Sequence, residues 1–125
     1  MPLDEIAGIC DSMRMERFEK KVSLCSIFNA KSGACGEDCA FCSQSRTPGG
    51  RMADPEEIRK ALEKASRLGV ERFSVVTSGG GLHGDDLEAV LKFAGENETG
   101  CRLCASLGIL DAEELGMVKS AGFSR

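Results

Sequence analysis

Three times in this chain a short run of β-forming residues leads into a loop and then a stretch of helical period, and this alternation limits the fold most. The first run is Val22 to Asn29, with Val22, Leu24, Ser26 and Phe28 on one face and Cys25, Ile27 and Asn29 on the other. Mid-strand Cys25 reads as core packing rather than a ligand. The second run, from Val70 or Glu71 to Thr77, is nearly continuous in apolar character, which predicts burial on both faces. The third is Gly100 to Leu107. Each is followed by helix signals. Asp54 is an N-cap, Pro55 takes the first helical position, Glu57 completes a capping box, and Gly69 is the stop. Ile58, Ala61, Leu62, Ala65 and Leu68 form the apolar stripe between them. A second helix runs from Asp85 or Asp86 to about Glu96, with Leu87, Val90, Leu91 and Ala94 inward. Asp111 and Glu114 cap a third, which carries Leu115 and Val118, ends at Gly122 and leaves Phe123 to open a further strand.

A leading helix over residues 3 to about 20 precedes these units, with Asp4 as its N-cap. Leu3, Ile6, Ile9, Cys10, Met13 and Phe18 recur near a 3.6 period, which predicts Cys10 as a small buried hydrophobe. Strand and helix alternating this way predict an α/β fold with parallel strands and right-handed crossovers. A (β/α)8 barrel needs eight such units and about 250 residues. The 125 residues here supply three units and the start of a fourth. They read as a leading helix, 1–20, and the first part of a TIM-type barrel, 21–125. Three strands leave an edge unpaired. Arg46 to Asp54, with Pro48-Gly49-Gly50, reads as a flexible crossing loop.

In βα barrels the chemistry sits on the loops after the strands. Here those loops hold Cys35, Cys39 and Cys42, then Ser78-Gly79-Gly80-Gly81, then the end of the strand bearing Cys101 and Cys104. The three clustered cysteines lie in Ser32-Gly-Ala-Cys-Gly-Glu-Asp-Cys-Ala-Phe-Cys-Ser-Gln-Ser45. A structural zinc site or a fully protein-held cubane takes four ligands. This loop offers three thiols, which on a four-iron cluster leave one iron open for a substrate or cofactor. Half of a zinc knuckle, or disulfide partners, are the competing readings. An odd total of seven cysteines and no visible export signal count against disulfides.

With its aromatic before the last cysteine, Cys35-xxx-Cys39-x-Phe41-Cys42 resembles the cluster loop of the radical S-adenosylmethionine (SAM) enzymes. Ser32-Gly33-Ala34 before it, Glu37-Asp38 within it and Ser43-Gln44-Ser45 after it resemble the biotin synthases among them. The resemblance implies a 4Fe–4S cluster on Cys35, Cys39 and Cys42 that reduces SAM to methionine and a 5′-deoxyadenosyl radical. It implies Phe41 against the cluster or the adenine, and Thr77, Ser78 and Gly79 near the methionine amino group. The bland reading of the Gly-rich run is a mobile turn, and His83 beside it reads as a solvated loop residue.

By the same resemblance the reaction inserts sulfur between two carbons of dethiobiotin, with sulfur drawn from an auxiliary 2Fe–2S cluster. Cys104 matches the third-strand ligand of that cluster. The second-strand cysteine ligand aligns with Ser74, and serine is a poor iron ligand. Cys101 is therefore a candidate compensating ligand in an altered auxiliary cluster. Residues three apart on a regular strand face opposite ways, so this requires a bulge at Arg102-Leu103. Implied partners are dethiobiotin, an electron donor such as flavodoxin or ferredoxin, and a second copy in a homodimer of the parent enzyme. A net charge of −4 with no basic run longer than Lys20-Lys21 disfavours nucleic acid and membrane surfaces. The longest apolar-leaning stretch, Leu103 to Leu110, is too short to span a bilayer. Met1-Pro2-Leu3-Asp4-Glu5 has an acidic lead, so the expected compartment is the cytoplasm with its thiols reduced. Two alternatives stay open: another radical SAM enzyme of this branch without sulfur donation, and a catalytically incompetent barrel fragment or structural metal-binding domain.

Overall fold

The capping signals decide where the helices begin and end. In a computed structural model of the chain, which describes residues 1–44 and 48–125, the Asp54 side chain accepts from Glu56 N–H at 2.8 Å and Glu57 returns to the Asp54 N–H at 2.9 Å. These bonds open α2, Pro55–Arg67. Gly69, at φ 73°, closes it with Gly69 N–H on Ser66 C=O and Val70 N–H on Ala65 C=O, a Schellman pair that satisfies two orphan carbonyls. Asp111 and Glu114 open α4, Ala112–Ser120, with the same reciprocal pair, and Gly122 stops it in the same way. The second helix of the repeat, α3, spans Gly84–Gly95, and the leading helix α1 spans Leu3–Phe18.

The strands are β1, Cys25–Gly33, β2, Gly50–Met52, β3, Arg72–Thr77, and β4, Arg102–Ser106. They form one open, mixed sheet in the order β2-β1-β3-β4. β3 runs parallel to both β1 and β4, as the alternation predicted. Phe123 pairs with Leu103 in parallel, Ser124 N–H donates to Leu103 C=O, and Ala105 N–H donates to Arg125 C=O. The chain thus lays a further extended segment beside β4, as expected from Phe123.

One face of the sheet carries the core. Ala30, Phe73, Val75 and Leu103 are buried there against Ile58 and Leu62 of α2 and Val90 and Phe93 of α3. Phe73 stacks on Phe28 with ring centroids 6.2 Å apart and tilts against Phe93 at 6.4 Å. Each such large side chain contributes about 1.5–3 kcal/mol on burial.

Several expectations are corrected. β1 begins at Cys25 and runs on to Gly33, so Val22 and Leu24 are exposed residues ahead of it. Cys25 faces away from the core and is exposed. β3 is buried on one face only, with Ser74 and Val76 half-buried on the other. Gly50–Met52, read as part of a flexible loop, pairs antiparallel with Lys31–Gly33. A three-residue strand opening on glycine carries no β signal of its own, and its order comes from the neighbour it pairs with. Ser45, Arg46 and Thr47, the end of the cysteine motif and the start of that loop, lie outside the described residues. α1 forms where predicted, but Pro2 rather than Asp4 is its N-cap, and none of its residues, Cys10 included, is buried. A 3.6 period encodes a face that can pack; burial also needs a partner for that face. Leu68 and Leu115 are likewise exposed, and Phe93, outside the expected stripe, is a core residue.

Candidate metal centre

Because β1, β3 and β4 are parallel, the loops that follow them leave from the same, C-terminal end of the sheet. The first of these bears the three cysteines. Its base is shaped by a register shift between Asn29 and Lys31, after which Lys31 pairs with Thr77 and its ammonium reaches Asp86 of α3 at 2.8 Å. Beyond Gly33 (φ 71°) the loop bends through Ala34 (φ 46°) and Asp38 (φ 44°). Side chains with a Cβ rarely adopt such angles, and strain of this kind gathers where a fold must present groups in a set geometry. Cys42 N–H donates to Cys39 C=O at 3.0 Å, closing a tight turn between those two thiols. Cys35 and Cys42 are half-buried, Cys39 is exposed, and all three are free. Phe41, between the last two, is 94% exposed.

The second loop is held at both ends. Ser78 is 7% exposed, its N–H donates to Lys31 C=O at 2.9 Å, and its hydroxyl donates to Gly33 C=O at 2.8 Å. Thr77, half-buried, closes β3 one residue earlier. Gly79 turns the chain at φ 98°. Gly80 C=O then accepts from Ile109 N–H at 2.8 Å, Leu82 N–H donates to Leu107 C=O, and Gly81 pairs with Gly108. A Cβ on Gly108 would strike the Gly80 backbone, and one on Gly80 would stand 2.9 Å from Glu37 Oε1. The Gly-rich run is therefore hydrogen-bonded to the third loop and touched by the first, unlike the mobile turn of the bland reading.

His83, read as a solvated loop residue, sits at the N-cap position of α3, and its Nδ1 lies 2.7 Å from Glu114 Oε1. That hydrogen bond first, and the Asp111 N–H second, hold the Glu114 carboxyl below the usual carboxylate range.

On the sheet face away from the core, Ile27, Ser74 and Cys104 are register neighbours across β1, β3 and β4. The sequence-predicted pair Ser74 and Cys104 is thus side by side. Cys101 is not with them: it is buried, with Sγ 2.9 Å from Val70 C=O. β3 and β4 pair residue for residue from Arg72–Arg102 to Val76–Ser106, so the bulge needed to turn Cys101 towards Cys104 is absent. Cys25, assigned to the core from sequence, is instead on the open face, two residues before Ile27. The signal for this was in the alternation that set Cys25 and Ile27 together.

Among the described residues, no three or more His, Cys, Asp or Glu side chains gather closely enough to hold a single metal ion. A tetrahedral zinc draws its ligands to one point, whereas a cubane takes each thiolate on a different iron. Three free thiols on one loop fit the second requirement better than the first.

The model of the Radical SAM superfamily matches residues 30–125. The chain belongs to the radical SAM superfamily. Membership implies a 4Fe–4S cluster and SAM. The chain is 41% identical to a biotin synthase of Clostridium perfringens, over 98% of its own length and 41% of that protein. It is 43% identical to one of Maridesulfovibrio salexigens, over 98% of this chain and 40% of the relative. With one of Clostridioides difficile the identity is 44%, over 82% of this chain and 34% of the relative. The chain spans only about a third to two fifths of the length of these curated relatives. Among the described residues, no helix is long and apolar enough to cross a membrane.

Proposed function

We propose that this chain is the N-terminal part of a biotin synthase-like radical SAM enzyme, which makes biotin from dethiobiotin by sulfur insertion. The observation that carries the reading is the three-cysteine loop at the C-terminal end of a parallel strand, within a superfamily match that covers residues 30–125. Cys35, Cys39 and Cys42 would hold the 4Fe–4S cluster, and Thr77, Ser78 and Gly79, with Phe41, would border SAM. When bound, the cluster supplies the electron that cleaves SAM and starts hydrogen abstraction from an unactivated carbon, chemistry that no acid or base of the chain can provide. The chain's own part would be to hold three thiolates on one loop and orient the cofactor along the adjoining turn. The open sheet is proposed as the first strands of a TIM-type barrel, with residues 1–20 as a leading helix and 21–125 as core. Cytoplasmic location, a flavodoxin- or ferredoxin-type electron donor and a homodimeric parent enzyme belong to the same proposal.

The auxiliary, sulfur-donating cluster would lie on the open face at Cys104. Ser74 beside it favours a second reading, a radical SAM enzyme of the same branch that donates no sulfur. Cys101 is the weaker ligand candidate, because it lies on the core side of β4. Anaerobic reconstitution with iron and sulfide tests both readings. About four irons per chain, lost in the triple Cys35, Cys39, Cys42→Ala variant and spectroscopically perturbed by SAM, is the expected result. Further iron removed by Cys104→Ser supports sulfur donation. Tight zinc without iron overturns the radical reading.

A further inference from the structure

The two ends of the three-cysteine loop meet at one residue, Gly33, whose N–H and C=O belong to the peptide groups on either side of it. Gly33 N–H donates to Gln44 Oε1 at 3.1 Å, and Gly33 C=O accepts the Ser78 hydroxyl at 2.8 Å. Gln44 lies beyond the last cysteine and Gly33 before the first, so the first bond closes the loop across its base. The second bond ties that base to the residue immediately before the Gly79–Gly81 turn, and the Ser78 N–H adds a further bond to Lys31 C=O at 2.9 Å. Gly33 is buried, so leaving either of its polar groups unpaired is costly. Ser78 is itself buried with its hydroxyl bonded to Gly33 and its N–H to Lys31, which leaves its C=O rather than its side chain to meet a ligand.

We propose that Gln44 and Ser78 are positioning residues that act through the backbone of Gly33 to set the span between the three-thiol loop and the Gly79–Gly81 turn. A small cofactor that touched both the centre the three thiols would hold and the turn would then meet a preformed site, with little of its binding energy lost to ordering either loop. This rests on the proposed SAM-binding function and deepens it. Neither residue supplies a thiolate, so cluster assembly does not depend on them. Their effect falls on the cofactor.

The test reconstitutes the chain anaerobically as wild type, Ser78→Ala, Gln44→Ala, the double variant, and the conservative Ser78→Thr and Gln44→Glu. Each is measured for iron per chain and for SAM affinity by the change in the electron paramagnetic resonance spectrum of the reduced cluster. The expected result is about four irons throughout and SAM affinity weakened about fivefold to tenfold in each alanine variant. The double variant should be no weaker than about tenfold, since both bonds serve one unit. Gln44→Glu, which keeps an acceptor, and Ser78→Thr, which keeps a hydroxyl, should return towards wild type. Unchanged affinity in Gln44→Ala would overturn the proposal even if Ser78→Ala weakened binding, because that pattern marks a direct ligand contact at Ser78. Iron lost from the alanine variants overturns it too, by making the bonds part of cluster assembly. A wild-type chain that takes up iron but does not respond to SAM defeats the proposed function, and this inference with it.

Discussion

Along β1, β3 and β4 successive residues point to two faces, and the two faces share a backbone and little else. One presents Ala30, Phe73, Val75 and Leu103 to α2 and α3 and is sealed. The other presents Cys25, Ile27, Ser74 and Cys104, and Ile27 is 70% exposed. The sealed face is apolar and closely matched to its helices. The open face mixes thiol, hydroxyl and aliphatic groups, all exposed or half-buried. On the proposed reading, stability and ligand capacity are assigned to opposite sides of the same strands.

The sharpest way to break this comparison is on the sealed side. Phe73→Ala is expected to cost about 3–5 kcal/mol in chemical denaturation, since the ring lies between Phe28 and Phe93 with no solvent to fill its place. A loss below about 1 kcal/mol would mean that this face is not the core. Gly108→Ala should follow at about 1–3 kcal/mol, because its φ of 79° and the Gly80 backbone leave no room for a Cβ. SAM affinity, measured in parallel, should fall with it. Asp54→Ala removes one half of a capping box, for about 1 kcal/mol.

On the open side Ser74→Cys should change stability by no more than about 0.5 kcal/mol while increasing the iron held beside Cys104. A cost as large as that of the Asp54 variant would show the open face to be packed after all. The smallest effect concerns acid. Glu114 is held below the usual carboxylate range by His83 and the Asp111 N–H, so its ionised form adds stability above its unfolded pKa. That contribution is lost as pH falls through the lower, folded value. Glu114→Gln should therefore flatten the acid limb of a stability–pH curve, with little change in the curve's shape at neutral pH.

What could be read from the sequence was whatever is encoded within a few residues. Asp54, Pro55, Glu57 and Gly69 bound their helix where expected, because a capping box and a Schellman stop are closed by neighbours in the chain. The opposite facing of Cys101 and Cys104 also followed from strand parity alone. Features that depend on distant partners did not. Gly50–Met52 becomes a strand only beside Lys31–Gly33, and the apolar stripe of α1 says nothing about what meets it. The three cysteines were legible as a motif, whereas the Gln44–Gly33–Ser78 connection was not. It joins one loop to the end of another strand through the backbone of a residue that has no side chain to announce it.

Between Asn29 and Lys31, β1 takes one residue more than β3. Strand facing is an odd–even count, and an extra member changes the sign of everything counted after it. Lys31 consequently turns to the helix side, where Asp86 waits, instead of following Asn29 to the open face. Deleting one residue here would keep every downstream amino acid and invert the direction in which the chain enters the loop. Anyone transplanting the three-thiol segment to another scaffold must therefore carry residues 29–33 with it, since the graft's orientation is written upstream of its first cysteine.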